Sequence, residues 1–230
     1  MRSCVVHVSS GKDSVLMMDM LERFNMQLEL ECEPQIQFNY VNKYIVKDLS
    51  IDEEVLTALE ARYGIQIQRV AHPRREVMYA SDTLRIQHLD RARYPSFDTM
   101  RKQLDKVLAA EHRTDWSATG IRITDSPQRA LALTKYPNPH PKNHTLAPVA
   151  TWRKQQVWDH IKAEGLPISA AYPLFGRSMD CLNITHVYPL KAARPADYAK
   201  IVADFPLMEP LCWLYEQRAQ RHGPANLPEC

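Results

Sequence analysis

Glycine is scarce in this chain, with six residues in 230 against sixteen prolines. That ratio excludes a flexible linker protein and points to an enzyme-like domain with rigid connections. No apolar run approaches the roughly 20 residues that a membrane-spanning helix needs. The N-terminus runs straight into strand-like sequence. A cytoplasmic protein is expected, and a membrane partner is not. An excess of one charge is missing too. The 29 basic and 27 acidic residues leave a net +2, so no bulk field draws the chain to nucleic acid, although a local basic face stays open. The five cysteines (Cys4, Cys32, Cys181, Cys212 and Cys230) form no Cys-x-x-Cys or adjacent pair. Their scatter argues against a disulfide scaffold, a zinc site and an iron–sulfur cluster. Repeats and low-complexity tracts are absent. The composition is 45% apolar and 24% charged, which suits a soluble chain forming one sizeable α/β domain or a domain with a small appendage.

What is present centres on Val5-Val6-His7-Val8-Ser9-Ser10-Gly11-Lys12-Asp13-Ser14. A β-branched run reads as a buried strand and breaks into a small polar loop. The apolar series Val15, Leu16, Met18, Met20, Leu21 and Phe24 then follows at mostly helical spacing. Strand, tight loop and helix start together offer backbone N–H groups and a helix N-terminus to one anion. Ser9, Ser10 and Ser14 add hydroxyls, and Lys12 adds a point charge. The Walker pattern does not fit, because Val6 and Asp13 occupy positions where it requires Gly and Ser or Thr. The same residues would also serve as a Ser-rich cap with Asp13 in the first turn of a helix.

Downstream, residues 36–41 and 65–70 read as strands. Between them a helix carries Val55, Leu56, Leu59 and Tyr63, opened by a Ser50/Glu53 capping box and stopped by Gly64. Strand–helix–strand alternation implies a parallel sheet whose ligands sit at the strands' carboxyl ends. Residues 74–95 are basic (Arg74, Arg75, Arg85, Arg91, Arg93) with Tyr79, His88 and Tyr94 interleaved. They could form a lid or a nucleic-acid contact, and the plainer reading is a solvated helix face. Ser96 caps a helix bearing Met100, Leu104, Val107 and Leu108. Trp116–Ala118 could end a strand, with Gly120 permitting a close backbone approach and Arg122 projecting from the following loop. Arg122 can grip a phosphate or sulfate bidentately, or pair with Asp125 in a structural turn. Thr151 opens a helix with Val157, Trp158 and Ile161 inward. A turn around Gly176 delivers Arg177 to some surface, and two helices follow from Pro195 and Leu207.

Three segments, in this order, carry a family resemblance. Ser9–Ser14 is similar to the Ser-Gly-Gly-x-Asp-Ser loop of the PP-loop (adenine nucleotide alpha-hydrolase-like) superfamily, with Ser10 for the first Gly. Residues 119–126 resemble the Gly-x-Arg-x-x-Glu-Ser segment of the phosphoadenosine phosphosulfate (PAPS) reductase family, with Asp125 for Glu. Residues 148–161 resemble its Trp-containing helical segment, with Gln156 at the usual acidic position. The resemblance implies an α/β three-layer sandwich with a mostly parallel five-stranded sheet over residues 1–183 and a C-terminal helical extension over 184–230. It further implies an adenine nucleotide, ATP in preference to PAPS, held by Ser9, Ser10, Gly11, Lys12, Asp13 and Ser14. Asn39, Tyr40 and Val41 would lie near the adenosine, and Gly120, Arg122 and Arg177 would complete the site. Lys12, Asp13 and Arg122 are the catalytic candidates, and Asp13 would help place Mg²⁺. The expected chemistry is attack on the α-phosphate, adenylating an acceptor, with no iron–sulfur cluster. Two alternatives stay open. One is a PAPS or adenosine phosphosulfate reductase using Cys230 and thioredoxin, although Glu229-Cys230 lacks the Gly and His that follow in the family's Glu-Cys-Gly-x-His segment. The other is a non-catalytic nucleotide-binding module.

Overall fold

Strand β1 (Ser3–Val8) lies at the centre of a five-stranded sheet in a computed structural model that describes residues 2–80, 96–179 and 181–222. On one side of it come β2 (Gln37–Tyr44) and β3 (Ile67–Ala71). On the other come β4 (Ser117–Thr119) and β5 (Thr145–Leu146), giving the order β3-β2-β1-β4-β5. The ladders of β1 with β2, β1 with β4 and β4 with β5 are parallel. The chain departs to one side of β1 and later returns to the other, so the order reverses at β1. In open parallel sheets that reversal opens a crevice at the carboxyl ends of the strands.

A central strand must bury both faces, and β1 is correspondingly apolar and buried at Cys4, Val5, Val6 and Val8, with Ser3 and His7 only partly buried. Cys4, Val6 and Val8 join a core with Val15, Leu16 and Met18 of α1 (Lys12–Leu30), to which α2 (Ser50–Tyr63) adds Leu56 and α6 (Lys154–Ala163) adds Val157. Val5 points the other way and meets Val41 and Leu108 of α4 (Phe97–Glu111). The result is the three-layer α/β architecture with a parallel five-stranded sheet. Each fully buried Leu, Val or Met contributes about 1.5–3 kcal/mol relative to exposure, and the four described cysteines are free, so burial holds the layers together.

The chain divides into two interleaved compact units. The first comprises Met1–Lys43, Glu54–Val70 and Gln103–Ser169, and the second Tyr44–Glu53, Ala71–Lys102 and Ala170–Cys230. In this division two earlier segments join the C-terminal part. That second unit contains α3 (Pro73–Ala80), α7 (Ala171–Phe175), α8 (Ile184–Ala193), α9 (Pro195–Asp204) and α10 (Met208–His222). Its core includes Val46, Leu49, Leu190, Ile201, Phe205 and Met208. A carboxylate holds the start of α2 at Ser50. Asp197, fully buried on α9, accepts from the backbone N of Ser50 at 2.7 Å and of Ile51 at 3.0 Å, and from Ser50 Oγ at 2.9 Å. A carboxylate from a distant helix thus satisfies the first donors of α2.

Of the basic stretch at 74–95, Arg75 is not on a solvated face. Its Nη1 donates to Asp204 at 2.6 Å and its Nη2 to the Tyr79 hydroxyl at 2.9 Å. Arg74 is exposed, while Arg85, His88, Arg91, Arg93 and Tyr94 lie outside the described residues. Among the described residues, no helix is long and apolar enough to cross a membrane.

Candidate functional site

The loop Ser9–Gly11 carries the chain from β1 into α1. Gly11 is the cap residue, extended at φ −75° and ψ 143°, and its carbonyl accepts from Ser14 N at 3.0 Å and Val15 N at 3.1 Å. Ser9 Oγ accepts from Gly11 N at 3.3 Å and bonds Ser14 Oγ at 3.0 Å, which pins the turn across its mouth. The first turn of α1 therefore faces the carboxyl end of the sheet with the orientation that favours anions.

The second motif meets this loop backbone to backbone. A Cβ on Gly120 would lie 3.0 Å from both the carbonyl carbon and oxygen of Asp13 and 3.1 Å from Ser14 N. Only a residue without a side chain permits that approach. Two residues on, Arg122 is 5% exposed. Its Nε is 2.8 Å from Asp13 Oδ1, and its Nη2 is 3.0 Å from Asp125 Oδ1. Its Nη1 donates to the Trp152 carbonyl at 3.3 Å, and its backbone N donates to Asp125 Oδ2 at 2.8 Å. Lys12 Nζ bonds the other Asp13 oxygen at 2.6 Å. The Nε–Oδ1 contact is close in distance yet not aligned as a hydrogen bond, so both buried atoms lack a hydrogen-bond partner. Two cations thus share one carboxylate, and one guanidinium N–H remains without an aligned acceptor. An incoming oxyanion can supply what is missing there.

The structure brings together Ser9, Ser10, Gly11, Lys12, Asp13, Ser14, Gly120 and Arg122. It does not bring Asn39, Tyr40 and Val41 to the loop. Asn39 pairs in register with Val5, and its amide donates to Ser3 Oγ at 2.9 Å, toward the start of β1. Tyr40 is buried with its hydroxyl on Glu22, and Val41 is fully buried. Asn42 stands opposite Val8 at the strand ends and donates to its carbonyl at 3.1 Å. Arg177 belongs to the second unit, where its Nε donates to His186 Nε2 at 2.9 Å. Cys230 lies outside the described residues.

Two contributors escaped the sequence reading. The Trp152 carbonyl holds Arg122, and nothing in a side-chain motif reports a backbone acceptor. His7, at the register of Thr119, has an Nδ1 without a hydrogen-bond partner, and burial, assisted by Lys43, pushes its pKa down to about 4. It is therefore neutral beside the loop at physiological pH.

The expected magnesium placement does not fit these residues. Both Asp13 oxygens already lie at ion-pair distance from cations. Among the described residues, no group of three or more His, Cys, Asp and Glu side chains is gathered for a metal.

No curated protein shows significant similarity to the chain in sequence. Among solved structures it is similar to the U34-tRNA thiolase NcsA from Methanococcus maripaludis with its 4Fe-4S cluster, at TM-score 0.49 and 16% identity over 90% of this chain and 72% of that one. It is also similar to the NH3-dependent NAD synthetase from Campylobacter jejuni in complex with the nitrate ion, at 0.45 and 13% over 100% and 89%. A third is the NAD+ synthetase from Burkholderia pseudomallei, at 0.45 and 13% over 99% and 83%. The NcsA structure corrects one expectation. The expectation that scattered cysteines exclude an iron–sulfur cluster does not stand beside NcsA, which carries one. Thiolates from segments far apart in sequence can meet at one cluster, so spacing alone does not exclude it. The model of the phosphoadenosine phosphosulfate reductase domain matches residues 3–187, most of the chain and all three motifs. The chain accordingly belongs to the phosphoadenosine phosphosulfate reductase domain family.

Proposed function

We propose that this chain is an enzyme that binds an adenine nucleotide, ATP in preference to PAPS, through the β1–α1 loop and acts at its α-phosphate. The observation that carries the reading is the seat of Gly120 against the Asp13–Ser14 peptide, which delivers Arg122 to the loop. In this reading, an acceptor oxygen attacks the α-phosphorus. A phosphorus–oxygen bond to the acceptor forms as the bond to pyrophosphate breaks, and the pyrophosphate carries off the electron pair. The N-terminal turn of α1 with Ser9 and Ser14 holds the departing group. Lys12 and Arg122 exchange part of their contact with Asp13 for phosphate oxygens and neutralise charge as the phosphorus becomes crowded. The acceptor is adenylated in the process.

Calorimetric titration with ATP, PAPS and adenosine phosphosulfate tests the choice of nucleotide. ATP is expected to bind most tightly. Tighter binding of PAPS, with sulfite release that Cys230→Ser abolishes, would overturn the adenylation reading in favour of a reductase.

The seat of Gly120 makes its own prediction. Gly120→Ala places a methyl at 3.0 Å from loop backbone, which cannot swing away as a side chain would. The loop must shift, at a cost of about 1–3 kcal/mol. ATP affinity is expected to fall by about ten-fold or more. Melting curves with and without ATP separate lost stability from lost binding, and an Ala variant that keeps wild-type affinity would sever the link between the two motifs.

A further inference from the structure

The second unit holds a side-chain cluster that the proposed reaction leaves unused. Cys181 lies just ahead of α8, whose His186 is 1% exposed. His186 Nδ1 is 3.9 Å from Cys181 Sγ and 3.4 Å from the Cys181 carbonyl oxygen. On the far side of the ring, Arg177 Nε donates to His186 Nε2 at 2.9 Å. Arginine carries donors only. Nε2 is therefore the bare, accepting nitrogen, and the single ring proton sits on Nδ1, facing the cysteine. The Phe175 ring, with centroids 5.1 Å apart, fixes the imidazole plane. That N–H lies within reach of both the carbonyl oxygen and the sulfur of Cys181, and with a guanidinium charge behind the ring it can stabilise negative charge developing on the sulfur. The environment of Cys4 works the other way, since burial pushes its thiol up to about 12. Burial likewise raises Cys212.

Cys181 also lines a groove of about 410 Å³, a volume suited to a small ligand. Ile184, Met208, Leu211 and Leu214 make its walls apolar, and Arg218 in the same lining supplies a cation. We propose that Cys181 is the reactive thiol of a second site, one that takes a small apolar disulfide bearing an anionic group. The Cys181 thiolate attacks one sulfur of the ligand. A disulfide between Cys181 and that half forms as the ligand's own S–S bond breaks, and the other half leaves as a thiolate with the electron pair. No outside oxidant is consumed, and a second thiol reverses the step by the same exchange. The apolar walls hold the body of the ligand, and Arg218 pairs with its anionic group.

The test treats the full chain with a limiting amount of dithio-bis-nitrobenzoate, an aromatic disulfide bearing carboxylates, and follows each cysteine by peptide mass mapping against time. Cys32, which is exposed where Cys181 is half-buried, is the internal reference. Exposure alone would make Cys32 the faster. The expected result is the reverse, with Cys181 labelled about ten-fold faster. Arg177→Gln is expected to slow Cys181 by about the same factor and to leave Cys32 unchanged. Arg218→Ala is expected to slow labelling by this reagent more than by uncharged dithiodipyridine. Equal rates at Cys181 and Cys32 in the unaltered chain overturn the reactive thiol, and that comparison decides even where a variant fails to fold. A folded Arg177→Gln chain with an unchanged Cys181 rate overturns the relay. Equal effects of Arg218→Ala on both reagents overturn the anionic group.

Discussion

Lys12→Ala is expected to lower ATP affinity by about a hundred- to a thousand-fold, in line with the loss of one oriented charge from a water-poor phosphate site. The magnitude follows from how the charges are shared. Lys12 and Arg122 flank a single carboxylate, Asp13, and the Lys12 and Arg122 side chains are 11% and 6% exposed. Removing the lysine leaves Asp13 with Arg122, a guanidinium that also pairs with Asp125, so the loop loses one unit of positive charge and the cation least committed elsewhere among these pairs. A polyanion then meets little more than the helix N-terminus and the serine hydroxyls, which supply about 1 kcal/mol each at most. Melting curves with and without ATP separate lost stability from lost binding. Calorimetry with ATP reads the affinity, and pyrophosphate release reads the turnover. An Ala variant that binds and turns over ATP like the wild type would remove the nucleotide loop from the reaction altogether. Lys12→Arg keeps the charge but not the compact ammonium, and is expected to fall between the two.

How far the sequence could be read depended on whether the relevant chemistry was local. The loop was legible because strand, hydroxyls, Gly11, Lys12 and helix start are contiguous, and the residues that make an anion site are the residues of the motif. Gly120 was legible as a sharp exit, but its partner was not, since nothing in the chain says which peptide it will press against. Arg122 was read as either a phosphate ligand or a partner of Asp125. The structure shows it with Asp125 and also with Asp13, a contact between residues 109 positions apart (122 minus 13) that no spacing rule reports. Asn39, Tyr40 and Val41 were assigned to the nucleotide by resemblance. The register sets Asn39 opposite Val5, short of the strand's carboxyl end, and only a strand pairing can reveal that. The apolar series of α1 included Phe24, which is 50% exposed, while Asp19 on the same helix is 1% exposed. A helix covered by more than one neighbour has no single inward face, so period alone misplaces both.

Asp19 carries the largest expected effect on stability. Its carboxylate accepts from the Tyr63 hydroxyl at 2.6 Å, bonds His160 Nε2 at 2.7 Å and accepts from Arg23 Nε at 2.8 Å. It therefore ties α1 to α2 and α6 through one buried anion. Asp19→Ala removes the acceptor that three donors share and is expected to cost about 3–5 kcal/mol, the usual penalty for breaking a buried pair from one side. Tyr63→Phe removes a single donor and is expected to cost about 1 kcal/mol. Urea unfolding measures both, and an alanine variant no less stable than Tyr63→Phe would show that the network contributes little. The acid limb gives a second reading. Burial works against the Asp19 anion, but the hydrogen bonds from Tyr63 and His160 and the charge of Arg23 outweigh it and hold the carboxyl below its ordinary value of 3.8. A depressed native pKa means the contribution is fully present above the ordinary value and is lost as the pH falls through the native one. The stability gap between wild type and Asp19→Ala should therefore be constant near neutrality and shrink on acidification below about 3.8. Loss here should also reach the nucleotide site. The Trp152 ring stands edge-on to His160 with centroids 5.5 Å apart, and the carbonyl of that same Trp152 holds Arg122. A variant that frees His160 loosens the support of the guanidinium, so Asp19→Ala is expected to weaken ATP binding even at temperatures where it remains folded.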